Sequence, residues 1–301
     1  MGVYDITPTL KLLDVTPPIP GYGYFIGAYL FQGKQTALID TGPRSSMPNL
    51  FKALTRLGIS PLAIDYIILS HIHLDHTGGV GTAIKEMNNA RVVAHSRAKS
   101  HLIDPTALWQ ASLKTLGDIA IQYGEPEPVP EHRIIIAKDQ MKLELGGELT
   151  LELYLTPGHA AHHLSVFHRA SGIAIAGEAA GVCVNGQVRP TTPPPFKMGE
   201  TLASIDKLIQ LQPQKLCYLH FGCFDNAVER LKRYREKLLL WHKLVNNAAR
   251  SGKTPEDIFT LLRKEDPELN YLDTMSQDEY AREAGLLING IVGLTEVPHQ
   301  S

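Results

Sequence analysis

The stretch Ser70-His71-Ile72-His73-Leu74-Asp75-His76-Thr77-Gly78-Gly79 sets three histidines and a carboxylate directly behind the apolar run Ala63-Ile64-Asp65-Tyr66-Ile67-Ile68-Leu69. That run is β-branched and aromatic without a helical period, so it reads as a buried strand ending where the polar cluster begins. In an extended segment residues two apart face the same side, so His71 and His73 can reach one cation. Asp75 and His76 cannot easily turn toward that ion, and their spacing points to a second one. Thr77-Gly78-Gly79 makes a tight turn into a helix starting near Val80. An isolated histidine usually ends as a hydrogen-bonded core or surface residue; a cluster this dense is built to hold metal.

Read outward from there, His71-x-His73-x-Asp75-His76 with its Gly-Gly tail resembles the signature of the metallo-β-lactamase-fold hydrolases. Four further stretches are similar to that family's landmarks and occur in its order: Ala37-Leu38-Ile39-Asp40-Thr41-Gly42, Leu155-Thr156-Pro157-Gly158-His159, the strand Gly172 to Gly177 leading to Glu178, and Leu219-His220-Phe221-Gly222. The resemblance covers most of residues 22 to 222. It implies an α/β fold, the αββα four-layer sandwich, in which His71, His73 and His159 form a first metal site. By the same resemblance Asp75, His76 and His220 form a second, Glu178 bridges the two, and Asp40 supports the metal loop from behind. Glu178 departs from the family, which places an Asp there. A carboxylate one methylene longer can still meet two ions at about 2.0–2.2 Å, or it can bond one and leave the other loosely held.

Other polar residues carry weaker signals. His162 and His163 cap the next strand or line the pocket mouth. His95, at the end of the predicted strand Arg91 to His95, is a candidate substrate contact as well as a structural histidine, whereas His101, His132, His168, His242 and His299 have no partner signal. The segment Arg189-Pro190-Thr191-Thr192-Pro193-Pro194-Pro195-Phe196 is too proline-rich for helix or central strand and reads as a stiff loop between two ligand positions. It is either a substrate lip, with Arg189 open to a carboxylate or phosphate, or a spacer over the sandwich edge.

The 301 residues suit one large sandwich with an extension, divided here as a catalytic domain over 1–225 and helices over 226–301. Expected strands include Tyr24 to Phe31, Thr36 to Ile39, and a last one from Gln214 to Leu219. A helix over Asp104 to Tyr123 forms one wall of the pocket, where Trp109 and Tyr123 are local core or substrate contacts. In the extension, Thr254-Pro255 and the Ser276/Glu279 pair announce helix starts. The apolar segment Leu286 to Val292 must bury itself over the pocket or against a second copy in a homodimer. Net charge is −2 with both signs dispersed, which gives no electrostatic reason to expect nucleic acid or a membrane surface as partner. No apolar window reaches spanning length and no signal-peptide pattern opens the chain. Cys183, Cys217 and Cys223 show no zinc-ribbon spacing and read as small buried residues of a protein in a reducing cytoplasm, although two of them flank His220.

Two divalent ions, zinc by the ligand types with iron or manganese also accommodated, lower the pKa of water toward about 7 and make a hydroxide nucleophile. The expected function is a metal-dependent hydrolase of an ester, lactone or thioester in a small-molecule substrate. Asp75 relays the proton to the leaving group, and Glu178 joins it as a catalytic carboxylate. The alternatives are an iron-dependent oxygenase on the same scaffold, a phosphodiesterase, disfavoured by the short interval from Glu178 to His220, and a binding protein without catalysis.

Overall fold

The computed structural model describes residues 2–20, 22–184 and 186–296; the end of the extension, His299 included, lies outside these. The chain opens with β1 (Val3–Thr7), β2 (Leu10–Asp14), β3 (Gly27–Gln32) and β4 (Thr36–Ile39), followed by α1 (Met47–Arg56) and β5 (Tyr66–Ile68). Then come α2 (Leu74–Thr77), α3 (Val80–Glu86), β6 (Arg91–His95), α4 (Lys99–Ile103), α5 (Thr106–Leu116), α6 (Asp118–Tyr123) and β7 (Ile134–Ala137). These seven strands form one sheet in chain order, antiparallel through β4 and parallel from β4 to β7.

The second sheet takes β8 (Met141–Glu144), β9 (Thr150–Leu155), β10 (Leu164–His168) and β11 (Ile173–Ile175). A small hairpin of β12 (Val182–Val184) and β13 (Gln187–Arg189) and the helix α7 (Met198–Gln210) then precede β14 (Lys215–Cys217) and β15 (Cys223–Asp225). The sheet order is β15-β14-β11-β10-β9-β8. The chain ends in α8 (Ala227–Arg250), α9 (Pro255–Glu265) and α10 (Gln277–Leu294).

Strand alternation builds the layers. Along β3 and β4, Tyr29, Phe31, Ala37 and Ile39 join the core between the sheets, while Ala28, Leu30 and Leu38 point the other way, under α1 and α3. On the second sheet Leu153, Val166, Ile175 and Cys217 face inward, and Tyr154, Phe167, Ala174 and Leu216 face α7 and α8. The result is the expected αββα sandwich. The C-terminal helices share this last core: Trp241, Phe259, Leu287 and Ile291 bury themselves with the outer face of the second sheet. The expected caps are present, with capping boxes at Thr254/Asp257 and Ser276/Glu279.

Several elements differ from the expectation. The strand expected from Tyr24 begins at Gly27, because Tyr22 and Phe25 leave the sheet to line the cavity. Pro61–Ala63 form a 3-10 turn ahead of β5. The helix expected over Asp104 to Tyr123 is broken at Gly117, whose φ of +55° a side-chain-bearing residue rarely adopts. The second sheet does not end at Leu219, since β15 adds an edge strand after it.

Candidate metal centre

All the proposed ligands leave the sandwich at one edge. His71 and His73 follow the end of β5, the side at which parallel strands open onto a crevice. His159 follows β9, Glu178 follows β11 and His220 follows β14. Asp75 and His76 lie on the short helix α2. Cross-sheet hydrogen bonds hold this edge together: Leu164 N–H donates to Ser70 O at 2.7 Å and Gly27 N–H to Leu219 O at 2.8 Å. Two glycines permit the turns. A Cβ on Gly158, at φ +143°, would lie 2.1 Å from Thr201 Oγ1, and one on Gly177, at φ +55°, would lie 2.7 Å from His163 Nε2.

The side chains converge as two groups. In the first, His73 Nδ1 lies 3.0 Å from His71 Nε2 and 3.1 Å from His159 Nε2, and Glu178 Oε2 lies 3.0 Å from His71 Nε2 and 2.9 Å from His159 Nε2. In the second, His76 Nε2 and His220 Nε2 are 3.2 Å apart, and Asp75 Oδ2 is 3.6 Å from each. Glu178 touches both, with Oε2 3.3 Å from His76 and Oε1 3.6 Å from His220. The longer side chain therefore reaches the shared position between the groups.

Whether these residues fit cations is decided by their outer nitrogens. His159 Nδ1–H donates to Thr191 O at 3.0 Å and His220 Nδ1–H to Phe25 O at 3.1 Å. Ser70 Oγ donates to Asp40 Oδ2 at 2.6 Å, which leaves it to accept from His71 Nδ1–H at 3.0 Å. A neutral imidazole whose outer nitrogen carries the proton presents only a lone pair inward. Inward lone pairs about 3 Å apart repel unless a positive charge lies among them, and four ligands at zinc's bond length would stand about 3.3 Å from one another. The donor set thus fits divalent cations, in the groupings His71, His73, His159, Glu178 and Asp75, His76, His220.

Asp40 is fully buried behind the loop, also accepting from Ser70 N–H at 2.7 Å. Its Oδ2 is 3.3 Å from His76 Nδ1, near enough for charge attraction but not aligned for a hydrogen bond. Burial pushes the Asp40 carboxyl up, opposed by His76 and Ser70. Burial holds His71 well below its usual range and brings His73 down to about 4. At His76 burial also opposes the charge, but Asp75, Asp40 and Glu178 outweigh it and raise this imidazole well above the ordinary value. Burial likewise works against an ionised Glu178, and His159, His220 and His71 overcome it.

A cavity of about 410 Å³ opens over the centre. Asp75 and Glu178 stand on its floor, and Leu108, Leu116, Ile119, Phe25 and Leu286 supply an apolar wall from α5, α6, the β2–β3 loop and α10. Tyr22 and Tyr123 join hydroxyls there at 3.2 Å, and burial pushes both phenols up so that they stay neutral. His162 lines the cavity as well; its Nδ1 accepts from Ile72 N–H at 3.3 Å, which puts the ring proton on Nε2.

Two expected substrate contacts have other partners. Arg189 borders the cavity, but its buried guanidinium is paired with Glu283 on α10, Nη2 donating to Oε2 at 3.0 Å, so it is not open to a substrate anion. His95 is buried away from the cavity lining and accepts from Arg97 N–H at 3.0 Å. Sequence reading missed Ser70, Thr191 and the Phe25 carbonyl, which orient the ligands. Ser70 alone had a signal, its place beside His71.

Two donor clusters suited to cations, at one edge of an αββα sandwich, define the metallo-β-lactamase fold. The chain matches the Metallo-beta-lactamase superfamily over residues 17–220, and it belongs to that superfamily. It is 31% identical over 210 residues, 68% of this chain and 76% of the relative, to metallo-beta-lactamase fold-containing protein ST1585 of Sulfurisphaera tokodaii. The crystal structure of the metallo-beta-lactamase family protein TTHA1429 from Thermus thermophilus superposes with a TM-score of 0.72 at 23% identity, covering 96% of this chain and 93% of that one. N-acyl homoserine lactonase AttM of Azorhizobium caulinodans is 30% identical over 113 residues, 38% of this chain and 39% of the lactonase. Members are mostly metal-dependent hydrolases, but flavo-diiron oxidoreductases are also among them. Among the described residues no helix is long and apolar enough to cross a membrane.

Proposed function

We propose that this chain is a metal-dependent hydrolase holding two divalent ions, with His71, His73 and His159 at one and Asp75, His76 and His220 at the other, and Glu178 shared between them. Its substrate in this reading is a small ester, lactone or thioester with an apolar acyl or ring portion. The observation that carries the reading is the convergence of inward-facing nitrogens and carboxylates on the floor of a cavity whose wall is apolar.

Bound divalent ions supply a hydroxide near neutral pH and oppose the charge that grows on a carbonyl oxygen. The protein's own groups do the rest. Asp75, with its carboxylate open to the cavity, accepts the proton released by attack and returns it to the leaving group. His162, neutral and with Nε2–H unpartnered among the described residues, donates to a polar atom of the substrate and fixes its orientation. The α5–α6 wall excludes water and takes the apolar portion. The small-residue face of Ala107 and Ala111 leaves it room.

The test is a panel of lactones and thioesters of graded acyl length, assayed with zinc-, iron- and manganese-loaded protein and after chelation. Loss of turnover on stripping and its return on reloading, with preference for apolar acyl groups, is the expected result. Full activity in a stripped sample would exclude the reading, and oxygen uptake by the iron form without hydrolysis would transfer it to an oxygenase.

A further inference from the structure

The hairpin that presents His220 carries two cysteines in register. β14 and β15 pair Lys215 with Asp225, Leu216 with Phe224 and Cys217 with Cys223. Tyr218 N–H donates to Gly222 O at 2.9 Å, so Tyr218 and Gly222 form a hydrogen-bonded pair, and by alternation Cys217 and Cys223 form a non-hydrogen-bonded one. Cα atoms at such positions stand about 4.5 Å apart, inside the about 4.4–6.8 Å that a disulfide spans. The two sulfurs are already 2.8 Å apart, and both residues are free thiols. Cys217 is buried between the sheets while Cys223 is partly open to solvent, so a reagent meets Cys223 first. Cys183 is buried in the other core, outside this pair.

We propose that Cys217 and Cys223 form a reversible cross-strand disulfide that clamps the turn carrying His220. The Cys223 thiolate attacks a low-molecular-weight disulfide and expels one thiol. The Cys217 thiolate then attacks the Cys223 sulfur of the mixed disulfide and expels the second. Two protein thiols thus lose two protons and two electrons, and the reagent disulfide is reduced to two thiols. In the thiol form the turn is held by Tyr29 Oη–H, shared between Tyr218 O at 3.0 Å and Gly222 O at 2.9 Å, and by the bond from His220 to Phe25 O. His220 sits within this turn, so a covalent link across its base restricts the turn's opening, one of the motions that withdraw His220 from an ion held as proposed above.

The test equilibrates the full chain in glutathione buffers from reducing to oxidising, then alkylates the unfolded protein and maps it by mass spectrometry. Expected is a single Cys217–Cys223 link with Cys183 alkylated, reversed by reductant. Three alkylated cysteines in the most oxidising buffer, or a persistent glutathione adduct on Cys223, would overturn the pairing. Transfer of bound zinc to a chelator should slow on the order of tenfold in the oxidised form, since closing a short loop constrains the open hairpin. C223S should show one rate in both buffers. An equal rate in oxidised and reduced wild type, or slowing in C223S, overturns the clamp.

Discussion

Replacing Glu283 with Gln removes one charge of an ion pair that ties α10 to the loop over the metal centre. The Arg189 guanidinium donates through Nη2 to Glu283 Oε2 at 3.0 Å, through Nε to Oε1, and through Nη1 to Pro190 O at 3.2 Å, while Tyr271 Oη–H donates to Oε1 at 2.6 Å. Burial opposes charge on both partners; at Glu283 the facing Arg189 outweighs it and holds the carboxyl below its ordinary range. Leaving a buried guanidinium unpaired costs about 3–5 kcal/mol. At about 2.1 cal/mol/K of unfolding entropy per residue, the 301 residues give about 0.6 kcal/mol/K, so the cost corresponds to a Tm lower by about 5–8 °C. Calorimetry or circular dichroism on the metal-free protein measures it, alongside R189M and the R189M/E283L double variant. The double variant should recover much of the loss, because apolar residues of similar volume tolerate such a site. The pH dependence has a definite sign. A carboxyl with a depressed folded pKa contributes stability above its unfolded value of about 4.3 and loses it as pH falls through the folded value. The gap between wild type and E283Q should therefore be full at pH 7 and close below about 4.3. A Tm change within about 1 °C, the scale of an exposed pair, would refute the reasoning.

The pKa directions also separate the two groups of ligands. His71 and His73 are neutral before metal arrives, whereas His76 holds a proton, so filling its site should release a proton and weaken as pH falls. Zinc titration in buffers of different ionisation enthalpy reads this, and equal release from both equivalents would contradict it. Glu178→Ala removes the carboxylate common to both groups and should reduce bound metal from two equivalents to one or none, measured by elemental analysis after dialysis; two retained equivalents would deny Glu178 its shared position. His162→Phe should raise KM by roughly two- to tenfold, the worth of one neutral hydrogen bond, with unchanged metal content. A fall in metal content instead would make His162 a support of His71 rather than a substrate contact.

Local chemistry explains which parts of this centre were legible. His71, His73, Asp75 and His76 share one short segment, and their spacing alone pointed to the two groupings the structure shows. His159, Glu178 and His220 were proposed only because the stretches that carry them resemble the superfamily's landmarks in its order; nothing in their own spacing joins them to the first segment. Strands β3 to β6 were legible as apolar, β-branched runs, but β1 and β2 escaped notice because Asp5 and Lys11 interrupt two five-residue strands at the edge of the sheet and next to it. Arg189 misled for a different reason. A cation in a proline-rich loop reads as exposed, and its partner, Glu283, lies 94 residues later on a helix whose docking no local pattern encodes. Thr191 and the Phe25 carbonyl were invisible on the same ground: backbone acceptors leave no mark in side-chain identity.

That docking changes what the C-terminal helices are for. Arg189 fixes the loop beside Thr191, and Thr192 Oγ–H donates to Gly290 O on α10 at 2.7 Å, so the loop is held to the helix on both sides of Thr191. Thr191 in turn accepts from His159 Nδ1–H through its carbonyl and donates to Glu178 Oε1 at 3.2 Å through its hydroxyl. One residue thus orients a ligand of the first group and the carboxylate shared by both. Glu178 has one more torsion than an Asp would have, and a freer carboxylate needs a partner to hold it between the two groups of ligands. The hydroxyl of Thr191 is that partner, and its position depends on helix α10. The longer carboxylate and the extension therefore belong to one arrangement: without the helix the loop loses its anchors, and without the loop Glu178 keeps its histidine neighbours but loses the hydroxyl that fixes Oε1.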